Sequence, residues 1–417
     1  MEILADNFIK IYESENPSVI GCYSPGITRL DSGRLVVTIE IGGKKTFPLE
    51  GPKIESDLGQ SQGKVFTSDD KGKTWQHRGD FAMTHSRPFV AGNSIYILGH
   101  SGDLCIIKSD DDGETWTTPV KLTNNEHWHQ APCNVHYANG NVYIVMEKKV
   151  YDDINGWNVN GMAPILMRAN VNDDLTKRGS WVFASELAFR DLIDSKDLEY
   201  FGVPFYETPR RTFIEVSKGR PCHPIGWLET NIVQFVDPDH IWYDETGHTF
   251  HLWMRSHTGR TGFACIVKVI ETNYNTMVTV PEKVPSGKKI VYVPCPGGQM
   301  KFHILYDEVT KLYWLLSTQA TDSMTKPERL PKERYGLPDN ERNRLQLHFS
   351  KNCIDWCFAG MVSIGKGIKH SRHYASMVID GEDLHVLSRS GDELARDPHN
   401  GNLITFHTIK DFRKLVY

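Results

Sequence analysis

Two octapeptides with the same pattern constrain the fold of this 417-residue chain more than any other feature of its sequence. They read SDDKGKTW at residues 68–75 and SDDDGETW at residues 109–116, and each follows a short strand-like run. Asp and Ser side chains close tight turns by bonding backbone amides, Gly supplies a positive φ, and the Trp can pack beneath the hairpin. The segment SKNCIDW at residues 350–356 is a degenerate third copy that is one residue shorter. These copies predict an architecture of repeated β units.

Strand-like patterns dominate the remainder of the chain. Short apolar runs enriched in β-branched and aromatic residues recur between Gly, Asp and Asn, whereas long amphipathic helical patterns are scarce. This predicts an all-β protein. Candidate innermost strands of six successive units begin near Ser24, Ser86, Ala131, Thr230, Met300 and Tyr374. We therefore predict six successive β units that form a single domain over residues 1–417, with an irregular insertion around residues 185–227.

Charge and composition exclude several classes of function. Lys plus Arg number 47 against 52 Asp plus Glu, so the formal net charge is -5, and we expect no nucleic-acid partner. The chain contains no apolar stretch of about 18 residues, so we expect no membrane span. The start, MEILADNFIK, has neither a basic nor an apolar leader region, which predicts a cytoplasmic protein, or a periplasmic or secreted one whose signal peptide has been removed. The eight cysteines are scattered without a Cys-x-x-Cys pair, which favours buried free thiols.

The octapeptides resemble the Asp-box, or BNR repeat, of the sialidase-like β-propellers, which lies between the third and fourth strands of a blade. This resemblance implies a sialidase-like β-propeller and concerns folding rather than chemistry. A sialidase needs three arginines that bind a carboxylate, an acid Asp and a Tyr–Glu nucleophile pair. The first arginine normally stands in an Arg-Ile-Pro motif on the first inner strand. In this chain that strand reads CYSPGI at residues 22–27, and Arg29 has different flanks, which argues against sialidase activity.

Segments along nearly the whole chain resemble a different branch of the same superfamily. They include THSRPFVAGNSIYILG at residues 84–99, WHQAPCNVHYANGNVYIVME at residues 128–147 and PGGQMKFHILYDEVTKLYWLLS at residues 296–317. In order and type they are similar to the ulvan lyases, the rhamnose-glucuronate lyases and a related α-rhamnosidase family. Those folds are described as seven-bladed, so the resemblance implies seven blades where six can be counted. It also implies an enzyme that cleaves a uronic-acid-containing oligosaccharide, with lyase and hydrolase chemistry both open.

Cleavage by β-elimination would need a specific set of side chains. The substrate carboxylate must be neutralised, a base must take the adjacent proton, and an acid must protonate the leaving oxygen. His85 and His100 stand on strands that a hairpin would join, and they correspond to the family's catalytic histidine pair. Tyr151 and Arg168 have a spacing similar to that of the lyases' catalytic Tyr and Arg. We therefore predict His85, His100, Tyr151 and Arg168 as catalytic residues.

Substrate-binding side chains are expected mainly on the inner-strand segments. Residues two apart on a strand share a face, as do Glu229 and Asn231. The predicted substrate-binding residues are Arg87, His129, Glu147, Arg211, Glu229, Lys301, His303, Arg372 and Arg389. Each of these residues could instead have a purely structural role. His85 and His100 could be hydrogen-bonded histidines at the rim, Glu229 and Lys301 could form a buried ion-pair network, and Arg210 and Arg211 could be a solvated pair on a loop. His373 and Tyr374 are further pocket-facing candidates, whereas His399, Asn402 and His407 are expected to tie the ring shut.

No cofactor is expected, although a structural calcium ion in the central channel is left open. A zinc site from His127, His129 and His136 lacks a supporting spacing rule. The leading hypothesis is therefore a lyase that cleaves an acidic oligosaccharide of the rhamnose-glucuronate type. The alternatives are a glycoside hydrolase on the same propeller, either an α-rhamnosidase or an exo-sialidase-like enzyme, and a non-catalytic glycan-binding propeller. The sequence leaves the oligomeric state open.

Overall fold

A computed structural model describes residues 2–56, 59–193, 211–257, 263–273, 275–323, 325–331 and 341–417. These residues form a nearly all-β propeller of six blades, each an antiparallel sheet of four or five strands. The predicted fold class and the count of six are confirmed, whereas the seven blades implied by the resemblance are wrong. The predicted starts coincide with the innermost strands or lie within a few residues of them. The count succeeded because each blade contains a short, largely buried apolar strand directly after its inner strand.

The blades follow one another along the chain, and the strands of each are ordered from the hub outward. Blade 1 contains Ile20–Arg29, Leu35–Gly43 and Gly59–Ser68, with Ile54–Ser56 and Gln76–Phe81 both paired to the last of these. Blade 2 contains Thr84–Ala91, Ser94–Ser101, Asp103–Ser109 and Val120–Lys121. Blade 3 contains Trp128–His129 and His136–Ala138, both paired to Asn141–Lys149, then Met162–Asn170 and Trp181–Phe183.

Blades 4 to 6 complete the ring. Blade 4 contains Gly226–Val233, Thr249–His257, Phe263–Asn273 and Thr276–Val280, with Tyr292–Pro294 also paired to the third strand. Blade 5 contains His303–Asp307, Leu312–Thr318, Arg344–Ser350 and Cys357–Ile364. Blade 6 contains Arg372–Asp380, Asp383–Ser390, Leu403–Ile409 and, from the start of the chain, Ile9–Glu13. The ring is therefore closed by pairing the first strand of the chain with the last.

Side chains near the closing strands hold the two ends of the chain together. The His407 ring contacts the Ala5 carbonyl oxygen at 2.7 Å, and the Ser14 amide donates to the Asn402 carbonyl oxygen at 2.8 Å. Both contacts agree with the role expected for His407 and Asn402.

Few elements lie outside the blades. In the part of the chain that the structure describes, they are the hairpins Ile214–Ser217/Arg220–Cys222 and Glu282–Lys283/Lys289–Ile290, the short helix Phe189–Leu192, and 3-10 turns at Arg178–Ser180, Pro327–Arg329 and Phe412–Leu415. The first hairpin and the helix fall in the predicted insertion, and Arg210 lies outside the described residues. Among the described helices none is long and apolar enough to cross a membrane. All eight cysteines are free thiols, and six of them are buried.

Four inner strands carry the same irregularity. The pairing register shifts in the inner strands of blades 1, 2, 4 and 6, as in a β-bulge. At each shift a non-glycine residue takes a left-handed conformation: Ser24, His85, Glu229 and Tyr374 have φ between 48° and 61°. Such backbone is uncommon for these residues, and bulges re-aim side chains next to active sites. The repeated bulge therefore indicates that a functional site lies at this level of the hub.

The repeated octapeptides form the turns that their sequence predicts. In the first copy the Ser68 hydroxyl accepts the Gly72 amide at 2.9 Å, and the Asp70 carboxylate accepts the Thr74 amide at 2.9 Å. The Trp75 indole donates to the Gly72 carbonyl oxygen at 3.0 Å. The second copy repeats these bonds at Ser109, Asp111, Gly113, Thr115 and Trp116. Both turns join the third and fourth strands of a blade and fix that connection locally.

The two repeated glycines offer a matched test of how the first turn is packed. Gly72 and Gly113 have φ of 80° and 86°, but a Cβ at Gly72 would lie 2.2 Å from the Phe406 ring in blade 6, whereas the nearest atom at Gly113 is 3.5 Å away. Gly113→Ala should cost about 1–2 kcal/mol through backbone strain alone. Gly72→Ala should add about 1–3 kcal/mol of overpacking. Urea unfolding of both variants measures the difference, and equal costs would contradict the close packing of Gly72 against Phe406.

Candidate active site

A cavity of about 690 Å³ opens at the hub, at the level of the four bulges. All four bulge residues line it, together with side chains from the neighbouring strands and loops. Its lining includes Tyr23, Ser24, Glu40, Lys44, Gln60, His85, His129, Trp157, Glu229, Tyr374, Arg389, Arg396 and His399. Aromatic rings, carboxylates and cations therefore meet in one concave site, as in sites that bind polar small molecules.

Five blades place a charged or titratable residue from their second strand behind this level of the hub. Glu40 pairs with Tyr23, His100 with Thr84, Glu147 with His129, Arg255 with Leu228, and Arg389 with His373. In four of these pairs the inner-strand member immediately precedes the left-handed bulge residue. Because blades 1, 2, 4 and 6 share this pairing, their bulge residues and second-strand residues meet at the hub.

Tyr374 stands beside a buried cation and a buried carboxylate in the cavity. An Nη1 proton of Arg255 is donated to the Tyr374 oxygen at 2.7 Å, and the same nitrogen lies 3.2 Å from the Glu229 carboxylate. Tyr374 is 9% exposed, while Arg255 and Glu229 are buried. Burial raises the pKa of Tyr374 to about 12, with Glu229 adding to the shift and Arg255 opposing it. The phenol is therefore protonated at rest, next to a carboxylate that can take its proton.

Three guanidinium groups surround the Tyr374 ring. The central carbon atoms of Arg389, Arg342 and Arg255 lie 5.1, 5.6 and 5.9 Å from the ring centroid. Arg389 also lies 4.4 Å from the Tyr23 ring centroid, and its Nε has no partner among the described residues. Guanidinium groups bind carboxylates with paired hydrogen bonds, and they do so more strongly where water is excluded. This side of the cavity therefore favours an anionic ligand.

Three histidines form a second wall. His85 Nδ1 and His100 Nε2 are 2.8 Å apart, and the His129 ring centroid lies 4.7 Å from that of His85. The predicted hairpin is confirmed, because Thr84 pairs with His100 across it. Burial lowers the pKa of His100 to about 3 and holds the pKa of His85 well below its usual value. Both rings are therefore neutral near pH 7, one donating to the other.

Two carboxylates stand behind or beside these histidines. Glu40 lines the cavity, accepts the His85 amide at 3.2 Å, and has its pKa raised by burial. Glu147 is fully buried. Its Oε1 accepts the Thr230 hydroxyl at 2.6 Å, and its Oε2 lies 3.9 Å from His129 Nδ1. Glu40 is therefore suited to carry a proton within the cavity, and Glu147 is suited to orient His129.

The structure brings six of the predicted site residues to this cavity. His85, His129, Glu229 and Arg389 line it, and His100 and Glu147 stand directly behind two of these. His399, expected to tie the ring, instead lines the cavity and contacts Arg389.

Four other predicted residues do not line the cavity. Tyr151 bonds Asp191 at 3.0 Å, Arg168 pairs with Glu271 at 3.0 Å on the third strands of blades 3 and 4, and Arg211 pairs with Asp153 at 3.1 Å. Arg372 donates to the carbonyl oxygens of Ser371 and Gly391. The spacing of Tyr151 and Arg168 along the chain resembled that of the lyases, but spacing does not fix the distance between neighbouring strands.

The remaining three predicted residues, Arg87, Lys301 and His303, lie further along the central channel, away from the large cavity. Histidines 127, 129 and 136 do not converge, since the His136 ring bonds the Gln234 amide oxygen at 2.9 Å. Within the described ranges no group of three or more His, Cys, Asp or Glu side chains is arranged to hold a metal ion.

Sequence reasoning missed several cavity residues that carry chemistry. Arg255 stands in the run FHLWMRSH and Glu40 in the run LVVTIEIGG, so each interrupts an apolar strand. Charged residues are almost never fully buried unless they are paired, so a charge within an apolar strand is itself a signal. Arg342 and Trp157 lie outside the strands, and Tyr23 lies on the inner strand Ile20–Arg29, so none of them offered such a signal.

Comparison with known proteins identifies the fold. No family model and no curated protein matches the sequence. Among solved structures, the Hadza microbial sialidase Hz136 has a TM-score of 0.56 at 13% identity, over 97% of this chain and 68% of that one. A Trypanosoma rangeli sialidase in complex with sialic acid has a TM-score of 0.51 at 13% identity, over 98% of this chain and 59% of that one. A protein of unknown function from Dyadobacter fermentans DSM 18053 has a TM-score of 0.52 at 13% identity, over 97% and 99%.

These likenesses show a sialidase-like β-propeller. The chain spans about three-fifths of the length of the Trypanosoma enzyme. The resemblance to the rhamnose–uronate enzymes stays a prediction.

Proposed function

We propose that this propeller is a glycoside hydrolase that acts on a sugar bearing a carboxylate, with Tyr374 as the nucleophile. The observation that carries the proposal is the junction at Tyr374, whose oxygen accepts a bond from Arg255 while Arg255 also contacts Glu229. A nucleophile adjacent to a base that is itself oriented by a third group is the arrangement expected for covalent catalysis. Glycosidases with a tyrosine nucleophile are known among the sialidases.

A neutral nucleophile suits an acidic substrate. A carboxylate nucleophile would be repelled by a carboxylate near the anomeric carbon, whereas a phenol carries no charge until the reaction begins. The raised pKa of Tyr374 means that its proton must leave as the new bond forms. Glu229 accepts that proton, and Arg255 stabilises the charge that develops on the phenolic oxygen.

The proposed reaction has two steps. In the first, the Tyr374 oxygen bonds to the anomeric carbon, the glycosidic bond breaks, Glu229 takes the phenolic proton, and Glu40 protonates the leaving oxygen. In the second, ionised Glu40 removes a proton from water, which attacks the anomeric carbon. The bond to Tyr374 then breaks, and Glu229 returns its proton to the phenolic oxygen. Raising the pKa of a carboxylic acid by burial is a common way to obtain a general acid near neutral pH.

Recognition of the substrate would rest on the other walls of the cavity. Arg389, with Arg342 and Arg255 nearby, supplies the positive charge that a sugar carboxylate requires. Trp157 and Tyr23 offer aromatic faces, and the ring nitrogens of His85 and His129 can bond hydroxyl groups. These contacts favour an acidic sugar over a neutral one, without selecting among uronic and sialic acids.

A lyase is the second candidate, favoured by the His85–His100 pair at 2.8 Å. In that reaction a neutral histidine would take the proton next to the carboxylate, and Tyr374 would protonate the leaving oxygen. The lyase hypothesis had counted on Tyr151 and Arg168, however, and both are engaged outside the cavity. The hydrolase accounts for more of the residues that line it.

A substrate panel tests this proposal. Aryl glycosides of glucuronic, iduronic and sialic acids and rhamnose–glucuronate oligosaccharides should yield new reducing ends without ultraviolet absorbance from an unsaturated product. The methyl ester of the best substrate should react about 100-fold more slowly or worse, because the arginines lose their partner. Arg389→Met should remove most of that preference, whereas the exposed Arg329→Met should not. An unsaturated product would replace the hydrolase with the lyase, and binding without cleavage would indicate a glycan-binding propeller.

A further inference from the structure

A second cavity, of about 140 Å³, lies toward the other end of the central channel. In blades 1, 2 and 6 it is lined by inner-strand residues that come after the bulge residue in the sequence, such as Gly26, Arg87 and Ser376. The large cavity is lined by the bulge residues themselves. The lining includes Gly26, Arg87, Cys133, His303 and Ser376. No Asp or Glu is among the described residues that line it. The cavity is separate from the proposed catalytic site and uses none of its groups.

One buried cation lines this cavity, and a second is bonded to Ser376, a residue of its lining. Arg87 is 2% exposed and lines it, and its terminal nitrogens lie 3.3 and 3.5 Å from the carbonyl oxygens of Asn134 and Ala131. Its Nε has no partner among the described residues. Lys301 is 1% exposed, and its Nζ donates to the Ser376 hydroxyl at 3.0 Å and to the Ala375 carbonyl oxygen. In the part of the chain that the structure describes, neither forms an ion pair.

No carboxylate of the described residues contacts Arg87 or Lys301 to balance its charge. Glu147 attracts Arg87, and Glu229 attracts Lys301, only through space and without a contact. His303, also at the cavity, has its pKa held well below the usual value by burial and by the charges of Lys301 and Arg87. Burying an unpaired charge is costly, so such groups are normally paired or bound to an ion. The cavity is therefore a positively charged space that lacks a negative partner.

We infer that this cavity binds a small monovalent anion of the halide class, with Arg87 as its main contact. A water molecule occupies about 30 Å³ in the liquid, so the space holds an ion with a few waters but not a sugar. The orphaned Arg87 Nε is a hydrogen-bond donor without an acceptor, which a halide can supply. The positive charge of Arg87 and Lys301 opposes the structural calcium ion that the sequence had left open for this channel. The anion would neutralise the hub where the inner strands meet.

Bromide provides the direct test, because it replaces chloride and scatters anomalously. Crystals of the wild-type chain soaked in bromide should show an anomalous peak within bonding distance of Arg87. The thermal midpoint should rise saturably, by about 2 °C or more, when chloride replaces gluconate at constant ionic strength. Arg87→Met should lose both effects, and the exposed Arg329→Met should keep them.

Two results would overturn the inference. One is a bromide map without a peak in this cavity, whatever the midpoint does. The other is a peak that is present while the midpoint is the same in chloride and gluconate. Because both measurements use the wild-type chain, failure of Arg87→Met to fold would not remove the test.

Discussion

Replacing Tyr374 with phenylalanine should lower kcat/KM on the best acidic substrate by about 10³-fold or more, because the nucleophilic oxygen is removed. The substitution deletes one atom and leaves the ring among the three guanidinium groups, so ligand binding and the thermal midpoint should change little. Steady-state kinetics, together with calorimetric binding of the product sugar, separates these effects.

Tyr23→Phe is the matched control for this experiment. Tyr23 lines the same cavity, but its hydroxyl donates to the Asn400 side chain at 2.6 Å and does not contact Glu229 or Arg255. Loss of one such neutral bond costs about 0.5–1.5 kcal/mol, roughly a tenfold change or less. If Tyr374→Phe were no more damaging than Tyr23→Phe, Tyr374 would not be the nucleophile.

Glu40→Gln should give the second large effect, a loss that depends on the leaving group. With a poor leaving group such as an alcohol, removing the general acid should cost about 10²–10⁴-fold in kcat/KM. With dinitrophenol, which needs no protonation to leave, the first step should be nearly unaffected. The exposed Glu55→Gln serves as the control on the same blade and should behave as wild type with both substrates.

The pH profile gives an independent readout of Glu40. Burial raises its pKa, so the carboxyl stays protonated to a higher pH than an exposed glutamate would. General-acid activity is therefore present below this pKa and is lost as the pH rises through it. The alkaline limb of kcat/KM should disappear in Glu40→Gln, since glutamine does not titrate. A limb that persists unchanged in the variant would assign it to another group.

The sequence was informative wherever a feature is local. The octapeptide turns close within eight residues, so their Ser, Asp, Gly and Trp bonds could be predicted from the pattern alone. Strand-like apolar runs recur in every blade, and counting the inner-strand candidates beside them produced the correct six blades. The family resemblance misled the count, because blade number depends on how many units close the ring rather than on the sequence of any one unit.

Site residues were predictable where the strand pattern fixes orientation. His85, His129 and Glu229 were expected at the hub because they stand on or next to inner strands, and they line the cavity. The positions of Tyr151 and Arg168 could not be predicted in this way. A matching spacing along the chain does not tell which strand or blade edge a residue occupies. Their contacts with Asp191 and Glu271 join elements that are distant in sequence, and no local pattern encodes such a meeting.

Two of the missed residues, Glu40 and Arg255, owe their position to the bulges. Each bulge shifts the register of an inner strand, so a second-strand residue such as Glu40 or Arg255 meets the hub beside a left-handed residue. A regular alternation of inward and outward side chains does not predict this arrangement. Left-handed Ser24, His85, Glu229 and Tyr374 carry backbone strain that other contacts must offset, which is typical of functional sites.

Trapping the covalent intermediate tests the central claim most directly. An acidic glycosyl fluoride that carries a second fluorine next to the anomeric carbon should react with the wild-type chain, and slow hydrolysis should let the adduct accumulate. Mass spectrometry of the digested protein should then find one added sugar on the peptide that contains Tyr374, and none in Tyr374→Phe. Turnover of the substrate with no adduct on Tyr374, or with the sugar attached to Glu229 instead, would contradict the account.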